Sequence, residues 1–393
     1  METHQVVDTG YYADSVEWCP HTGYHDVLLC GTYQLEESPK EQEQNTEETR
    51  TKPQTRHGDV QVYKLSQDNG SYSLTKTAVH EMPGVLDIKW SPDLVNGSPV
   101  FGLVNSVGVA ELYLVTNSEE TDVGSTEVKV TILMGVSLGG EVLGLSLDWS
   151  NRVSKSNAPM LTTSSSDGCV QVHQLTSGEL TPVSSWKAHD YEAWITAFNY
   201  WDTNVVYTGG DDCRLKGWDI RQKTSSPIFS SKRHEMGVCS IQSCPIRDHL
   251  LCTGSYDEHL LVWDSRQMKH PLADTQLGGG IWRVKWHPGH AQLLLTATMY
   301  NGYHVVDTEH ISDGKMDVLH HYDRDVSLGY GADWCHSNAY NNLVATGFCP
   351  YKMASYIVQD FLIKLQRGRG LNSRPMKPAL LAVNGHRSNH LAI

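Results

Sequence analysis

Residues 187 to 266 carry one pattern written twice. The first copy reads KAHDYEAWITAFNYWDTNVVYTGGDDCRLKGWDIR and the second KRHEMGVCSIQSCPIRDHLLCTGSYDEHLLVWDSR. His189 and His234, Asp212 and Asp257, Trp218 and Trp263, and Asp219 and Asp264 are each 45 residues apart. Such a period constrains the fold strongly, because a unit of that size cannot bury a core alone and must stack against its neighbours. Each copy holds two β-rich runs, VVYTGG then RLKGWD, and HLLCTGS then HLLVWD. The turn between them carries Asp212 or Asp257, six residues before the Trp in both copies. Aspartate suits such a turn because its carboxylate accepts hydrogen bonds from nearby backbone N–H groups.

A period of about 40 to 45 residues with an early His and a closing Trp-Asp resembles the blades of WD-repeat propellers. In that family the His, the turn Asp and the Trp form a buried network. The resemblance therefore implies structural roles for His189, Asp212, Trp218, Asp257 and Trp263. The remaining repeats are more divergent. Their first strands carry ADSVEWCP, VLDIKWSP, VLGLSLDWS, GGGIWRVKWHP and YGADWCHS, in which Trp18, Trp90, Trp149, Trp286 and Trp334 recur. In the third repeat Asp167 keeps the turn place and His173 stands where Trp would be. The expected architecture is an all-β, seven-bladed WD-repeat β-propeller over residues 1–358, with its last blade incomplete. Residues 36–57, EESPKEQEQNTEETRTKPQTRH, lack a large apolar residue and read as a disordered insert in the first blade. Residues 359–393 read as a divergent, disordered tail. From 351 onward there are seven Lys or Arg and one acid, Asp360.

Composition limits the function. The formal charge of −14 argues against binding to a phosphate backbone and favours a basic or cationic partner. No apolar run reaches the ~20 residues of a spanning helix, and METHQVVDTG has no secretory pattern. The nine cysteines include no C-x-x-C pair and read as reduced thiols. A cytoplasmic monomer that engages neither nucleic acid nor membrane is expected.

The runs AHDYEAWITAFNYW, GGDDCRLKGWD, KRHEMGVCSIQS, GSYDEHLLVWDSRQMKHPLADT and GGGIWRVKWHP, with YADSVEWCP and GTYQL near the start, resemble one family more narrowly. It is the diphthine methyl ester hydrolases of diphthamide synthesis, also called diphthine methyltransferases. The likeness covers roughly residues 10–350, and the tail after Phe348 departs from it. The resemblance implies hydrolysis of the methyl ester of methylated diphthine on translation elongation factor 2. Methanol is released and no cofactor is needed.

Ester hydrolysis needs a nucleophile or an activated water, a base and oxyanion donors. Gly135-Val136-Ser137-Leu138-Gly139 matches G-x-S-x-G, but a strand rather than a helix is expected after it. No H-E-x-x-H and no Cys/His cluster suggests a metal. Residues just before each inner strand converge at one end of a propeller channel. Trp194, Trp282 and Tyr330 could there form a cage for the trimethylammonium group of methylated diphthine, because aromatic faces attract quaternary ammonium. Glu192 or Asp333 would add charge. His234 is the first candidate for the general base, with Glu192 beside it, and its scaffold role is the competing reading. Cys239 reads as core.

A non-enzymatic class fits the same fold. Trp218-Asp219-Ile220-Arg221 and Trp263-Asp264-Ser265-Arg266 match W-D-x-R, which resembles substrate receptors of cullin-RING ubiquitin ligases. There Arg221 and Arg266 would dock on an adaptor. Pairing of each Arg with a neighbouring acid is the alternative.

Overall fold

The computed structural model describes residues 5–36, 54–68, 71–117, 128–176, 178–222, 224–323, 328–337, 339, 342–349, 356–357 and 381–385. The expected all-β propeller is present, with six four-stranded antiparallel blades. Their inner strands are Tyr12–Trp18, Val85–Trp90, Gly144–Trp149, Ile195–Phe198, Val238–Ser243 and Ile281–Trp286. Each packs against the inner strand of the next blade. A further sheet pairs Leu328–Trp334 with Leu343–Cys349, and Leu328–Trp334 packs against both Ile281–Trp286 and Tyr12–Trp18.

The two fully matched repeats show why the sequence recurs. Gly209 is the last and Gly254 the last but one residue of the second strand of its blade, close against the next inner strand. A Cβ on Gly209 would lie 2.6 Å from Val238 Cγ1, and one on Gly254 would lie 2.4 Å from Ile281 Cγ2. The recurring tryptophans are buried between blades, where large rings contribute most to the hydrophobic driving force. The indole N–H groups of Trp90, Trp149, Trp286 and Trp334 each donate to a backbone carbonyl of the preceding inner strand, at Glu17, Lys89, Gln242 and Lys285. A position that reads in one repeat as a core residue is thus also the stitch to its neighbour.

Two expectations concern segments at the margins. Of the insert expected over 36–57, residues 37–53 lie outside the described residues, and Arg56 and His57 already belong to the strand Arg56–Asp68. The tail was expected to be unstructured, yet Leu381–Gly385 forms a strand. It runs parallel along Ala345–Gly347, and Asp8–Gly10 adds to its other side. The physical reason is the edge of Leu343–Cys349: Tyr356–Ile357 pairs only with Leu343 and Val344, and the backbone groups of Ala345–Gly347 need partners of their own. The other tail residues, apart from Tyr356–Ile357, lie outside the described residues. Among the described residues helix is confined to the short 3-10 turn Ile311–Asp313 and the 3-10 position Ala339.

Candidate functional site

The inner strands share one irregularity. Pairing with the second strand slips between Ala13 and Ser15, Val85 and Asp87, Gly144 and Ser146, Val238 and Ser240, Ile281 and Arg283, and Gly329 and Gly331. A bulge leaves one residue unpaired and re-aims its side chain. The bulged residues are Asp14, Leu86, Leu145, Cys239, Trp282 and Tyr330. Trp194 holds the same place in the fourth blade. There the Thr196 N–H bonds to Ser146 Oγ, as Ile88 N–H does to Ser15 and Val284 N–H to Ser240.

All of these except Cys239 line one pocket at the end of the channel, together with Tyr33, Arg56 and Leu143. Trp282 is its hub. Its ring centroid lies 5.7 Å from Trp194, 5.3 Å from Tyr330 and 6.1 Å from Tyr256, the first two edge to face. Trp194 is 9% exposed and donates its indole N–H to Asp211 Oδ1 at 3.1 Å. The three rings expected to form a cage are therefore brought together.

The carboxylate at this cavity is Asp14. It is 2% exposed, and its Oδ2 has no hydrogen-bond partner among the described residues. Burial pushes its carboxyl up to about 7; Arg283 and Lys89 oppose the rise and Asp87 adds to it. Asp333, expected here, lies deeper. Its Oδ2 accepts the Trp18 N–H at 2.8 Å and its Oδ1 lies 3.3 Å from Lys285 Nζ. Glu192 is half-buried and is not among the residues lining the cavity.

Beneath the cavity the channel is filled with paired charge. Asp87 contacts Lys89 at 2.6 Å and Arg283 at 3.2 Å, and accepts the Leu147 N–H at 3.2 Å. Lys285 bridges Glu17 and Asp333, and Lys89 lies 3.3 Å from Glu17. Burial would raise the Glu17 carboxyl, but Lys285 and Lys89 hold it low. For Asp333 burial prevails and the carboxyl is raised.

His234 is fully engaged. Its Nδ1 bonds to Asp257 Oδ2 at 2.9 Å and its Nε2 to Thr253 Oγ1 at 2.8 Å, and Trp263 Nε1 donates to the same hydroxyl at 2.9 Å. His189, Asp212, Thr208 and Trp218 repeat the arrangement at 2.7, 2.8 and 2.9 Å. A single tautomer satisfies each network: Trp N–H to Thr, Thr O–H to His Nε2, His Nδ1–H to Asp. No ring nitrogen of His234 remains for a substrate proton, so the geometry places it in the scaffold rather than at the catalytic position considered for it. Thr208→Val keeps the shape but strands the Trp218 N–H and His189 Nε2. It is expected to cost roughly 2–4 kcal/mol in urea unfolding, since each unsatisfied buried group costs about 1–3. A loss below 0.5 kcal/mol (about the noise of a surface change) would show that the network contributes little.

The family model described as WD domain, G-beta repeat, matches residues 225–264. A mouse protein named diphthine methyltransferase is 44% identical over 340 residues, covering 84% of this chain and 69% of its own. The human protein of that name is 42% identical, covering 84% and 74%. The chain belongs to the diphthine methyltransferase family. A Dictyostelium discoideum homolog of that name is 33% identical over 82% of this chain and 89% of its own. The solved structure titled as that of the mitotic checkpoint complex matches at TM-score 0.60 and 17% identity over 88% of each chain, a likeness of fold alone.

The remaining candidates of this diphthine methyltransferase family member sit away from the cavity. Ser137 ends an outer strand, is exposed, and accepts a hydrogen bond from the Gly139 N–H, with no helix after it. Cys239 is buried and burial pushes its thiol well up, which suits an inert core residue. Arg221 and Arg266 are 59% and 65% exposed, each forked onto the aspartate two residues before it. Among the described residues no His/Cys/Asp/Glu group could hold a metal ion. Sequence reasoning missed Asp14, Arg56, Tyr33 and Tyr256.

Proposed function

We propose that this protein acts in diphthamide biosynthesis by hydrolysing the methyl ester of methylated diphthine on translation elongation factor 2. Water is consumed, and diphthine and methanol are produced. The observation that carries this reading is the cavity ringed by Trp194, Trp282 and Tyr330 with Asp14 in its wall. Methylated diphthine presents a fixed cation and, close to it, an uncharged ester. Aromatic faces attract such a cation most when it is desolvated. The net charge of −14 favours approach of a cationic side chain. The relatives' name is compatible with chemistry at the methyl group in either direction, so the direction is what an experiment must decide.

The test mixes the purified protein with elongation factor 2 bearing methylated diphthine, without any methyl donor, and weighs the modified peptide. Loss of one methyl with release of methanol is the expected result. No change here, with a gain of one methyl on diphthine only when a methyl donor is supplied, would reverse the reading. We also read the sheet of Leu328–Trp334 and Leu343–Cys349 as a seventh blade, because its inner strand bridges the sixth and first blades. Slow amide exchange along Leu343–Cys349 is the expected sign, and rapid exchange there would leave six blades and an open seam.

A further inference from the structure

We infer that Asp14 is the general base of this cavity, taking a proton from the water that attacks the ester carbonyl. The role presupposes the ester-hydrolysis reading above. Three observations point to it. Asp14 sits at the bulge of the first inner strand, in the ring of positions that lines the cavity. Its Oδ2 is buried without a partner among the described residues, although an unpaired buried polar group is costly. The other candidates are engaged or lie off the cavity: Asp87 pairs with Lys89 and Arg283, Asp333 with Lys285 and the Trp18 N–H, His234 with Asp257 and Thr253, and Glu192 is not among the lining residues. Asp14 is the acid left with capacity for a ligand's water.

The charged and titratable groups around it come from several blades. Arg283 and Lys89 draw its proton off, and Asp87 holds it on. Tyr256 and Cys30 in turn feel the Asp14 charge, and Arg56 lines the same cavity. The outcome, a carboxyl near 7, matches a base to neutral pH. In the step, the water oxygen bonds to the ester carbon as Asp14 takes its proton. The carbonyl electrons move to oxygen, where the Arg56 cation can face the charge. The intermediate then expels methoxide, which regains the proton from Asp14 and leaves as methanol. The new carboxylic acid releases its proton to solvent.

Asp14→Asn decides the matter, with wild type and Asp14→Glu beside it in the methanol assay. The expected result is a kcat lower by roughly 100- to 10,000-fold with KM within a few-fold. Wild-type kcat/KM should rise with pH to a plateau above about 7, a rise absent in the Asn variant. Glu should restore part of kcat with a shifted profile. A raised KM with kcat unchanged would make Asp14 a counter-ion for the trimethylammonium group and overturn the inference. So would heavy oxygen from labelled water appearing in the Asp14 carboxyl after one turnover, which marks a nucleophile. A wild type that releases no methanol removes the reaction, and the base with it. Folding is checked by melting. The folded carboxyl is raised from 3.8 to about 7, so its ionisation destabilises the protein above that pH and not below about 4. The Asn variant should therefore melt higher than wild type at pH 8, and the gain should vanish near pH 4; a variant that melts lower at pH 8 would contradict the burial of an unpaired charge.

Discussion

Asp87→Ala is expected to destabilise the propeller by roughly 3–5 kcal/mol, the usual cost of removing one partner from a buried ion pair. Asp87 is fully buried and holds Lys89 at 2.6 Å and Arg283 at 3.2 Å. It also accepts the Leu147 N–H at 3.2 Å, so it joins the second, third and sixth blades through one carboxylate. Without it Lys89 keeps Glu17, but Arg283 loses the partner that faces it. Burial would raise the Asp87 carboxyl, and Arg283 and Lys89 hold it below the usual range instead. A depressed carboxyl contributes stability that is fully present above its ordinary value and lost as the pH falls through the folded one. The difference between wild type and Asp87→Ala should therefore be largest near neutrality and shrink on acidification below about 4. Urea unfolding at several pH values measures it. A cost under 1 kcal/mol at neutral pH, or one that grows in acid, would mean that water replaces the carboxylate and the channel is not a dry layer. Replacing Asp87 and Arg283 together by apolar residues should cost far less than the single change, because Lys89 keeps Glu17 and no charge is then stranded.

What the sequence revealed depends on how far each relation reaches along the chain. The tetrads of His189 and His234 lie within one repeat, and a period of 45 residues exposes them directly. The first-strand tryptophans were legible as repeating core, and their indole bonds across blades follow from the same register. The clustering of Trp194, Trp282 and Tyr330 was reachable because the three hold equivalent positions in aligned repeats. Asp14 holds that position too, but YADSVEW offers an acid where other blades offer Leu, Cys, Trp or Tyr, and no repetition marks it. Its partners in the cavity become neighbours only when the ring closes. Asp333 misled for a related reason. It lies three residues beyond Tyr330, and the bulge decides which of the two faces the cavity. The base was sought among histidines by chemistry, whereas those histidines had both nitrogens committed to Thr and Asp. The tail strand could not be read from its own residues, since Leu381–Gly385 pairs with an edge that another part of the chain leaves open.

Trp282→Ala should weaken binding of a trimethylammonium substrate by roughly 10- to 30-fold, the worth of about 1.4–2 kcal/mol for a desolvated cation on one indole face. Trp282 is the ring that touches Trp194, Tyr256 and Tyr330, so its removal opens the cage from the middle. It should do little to the fold. The ring is only partly buried and packs on the small cluster of Met299, Leu328 and Tyr330 rather than on the large inter-blade cores. Its indole N–H has no partner among the described residues, so its loss strands no acceptor. Trp194 is the poorer choice for the same measurement, because its removal leaves Asp211 without the N–H it accepts at 3.1 Å. The discriminating control is a substrate with a neutral tert-butyl group in place of trimethylammonium. If the rings bind charge, the neutral analogue should bind wild type more weakly and lose much less on Trp282→Ala. Equal losses for both substrates would reduce the three rings to an apolar wall. Trp282→Phe should keep part of the cationic preference, since a smaller π face remains where the cation rests. In the hydrolysis proposed above the water attacks at the ester and not at the ammonium, so kcat should change less than affinity in each of these variants, the reverse of what is expected for Asp14→Asn.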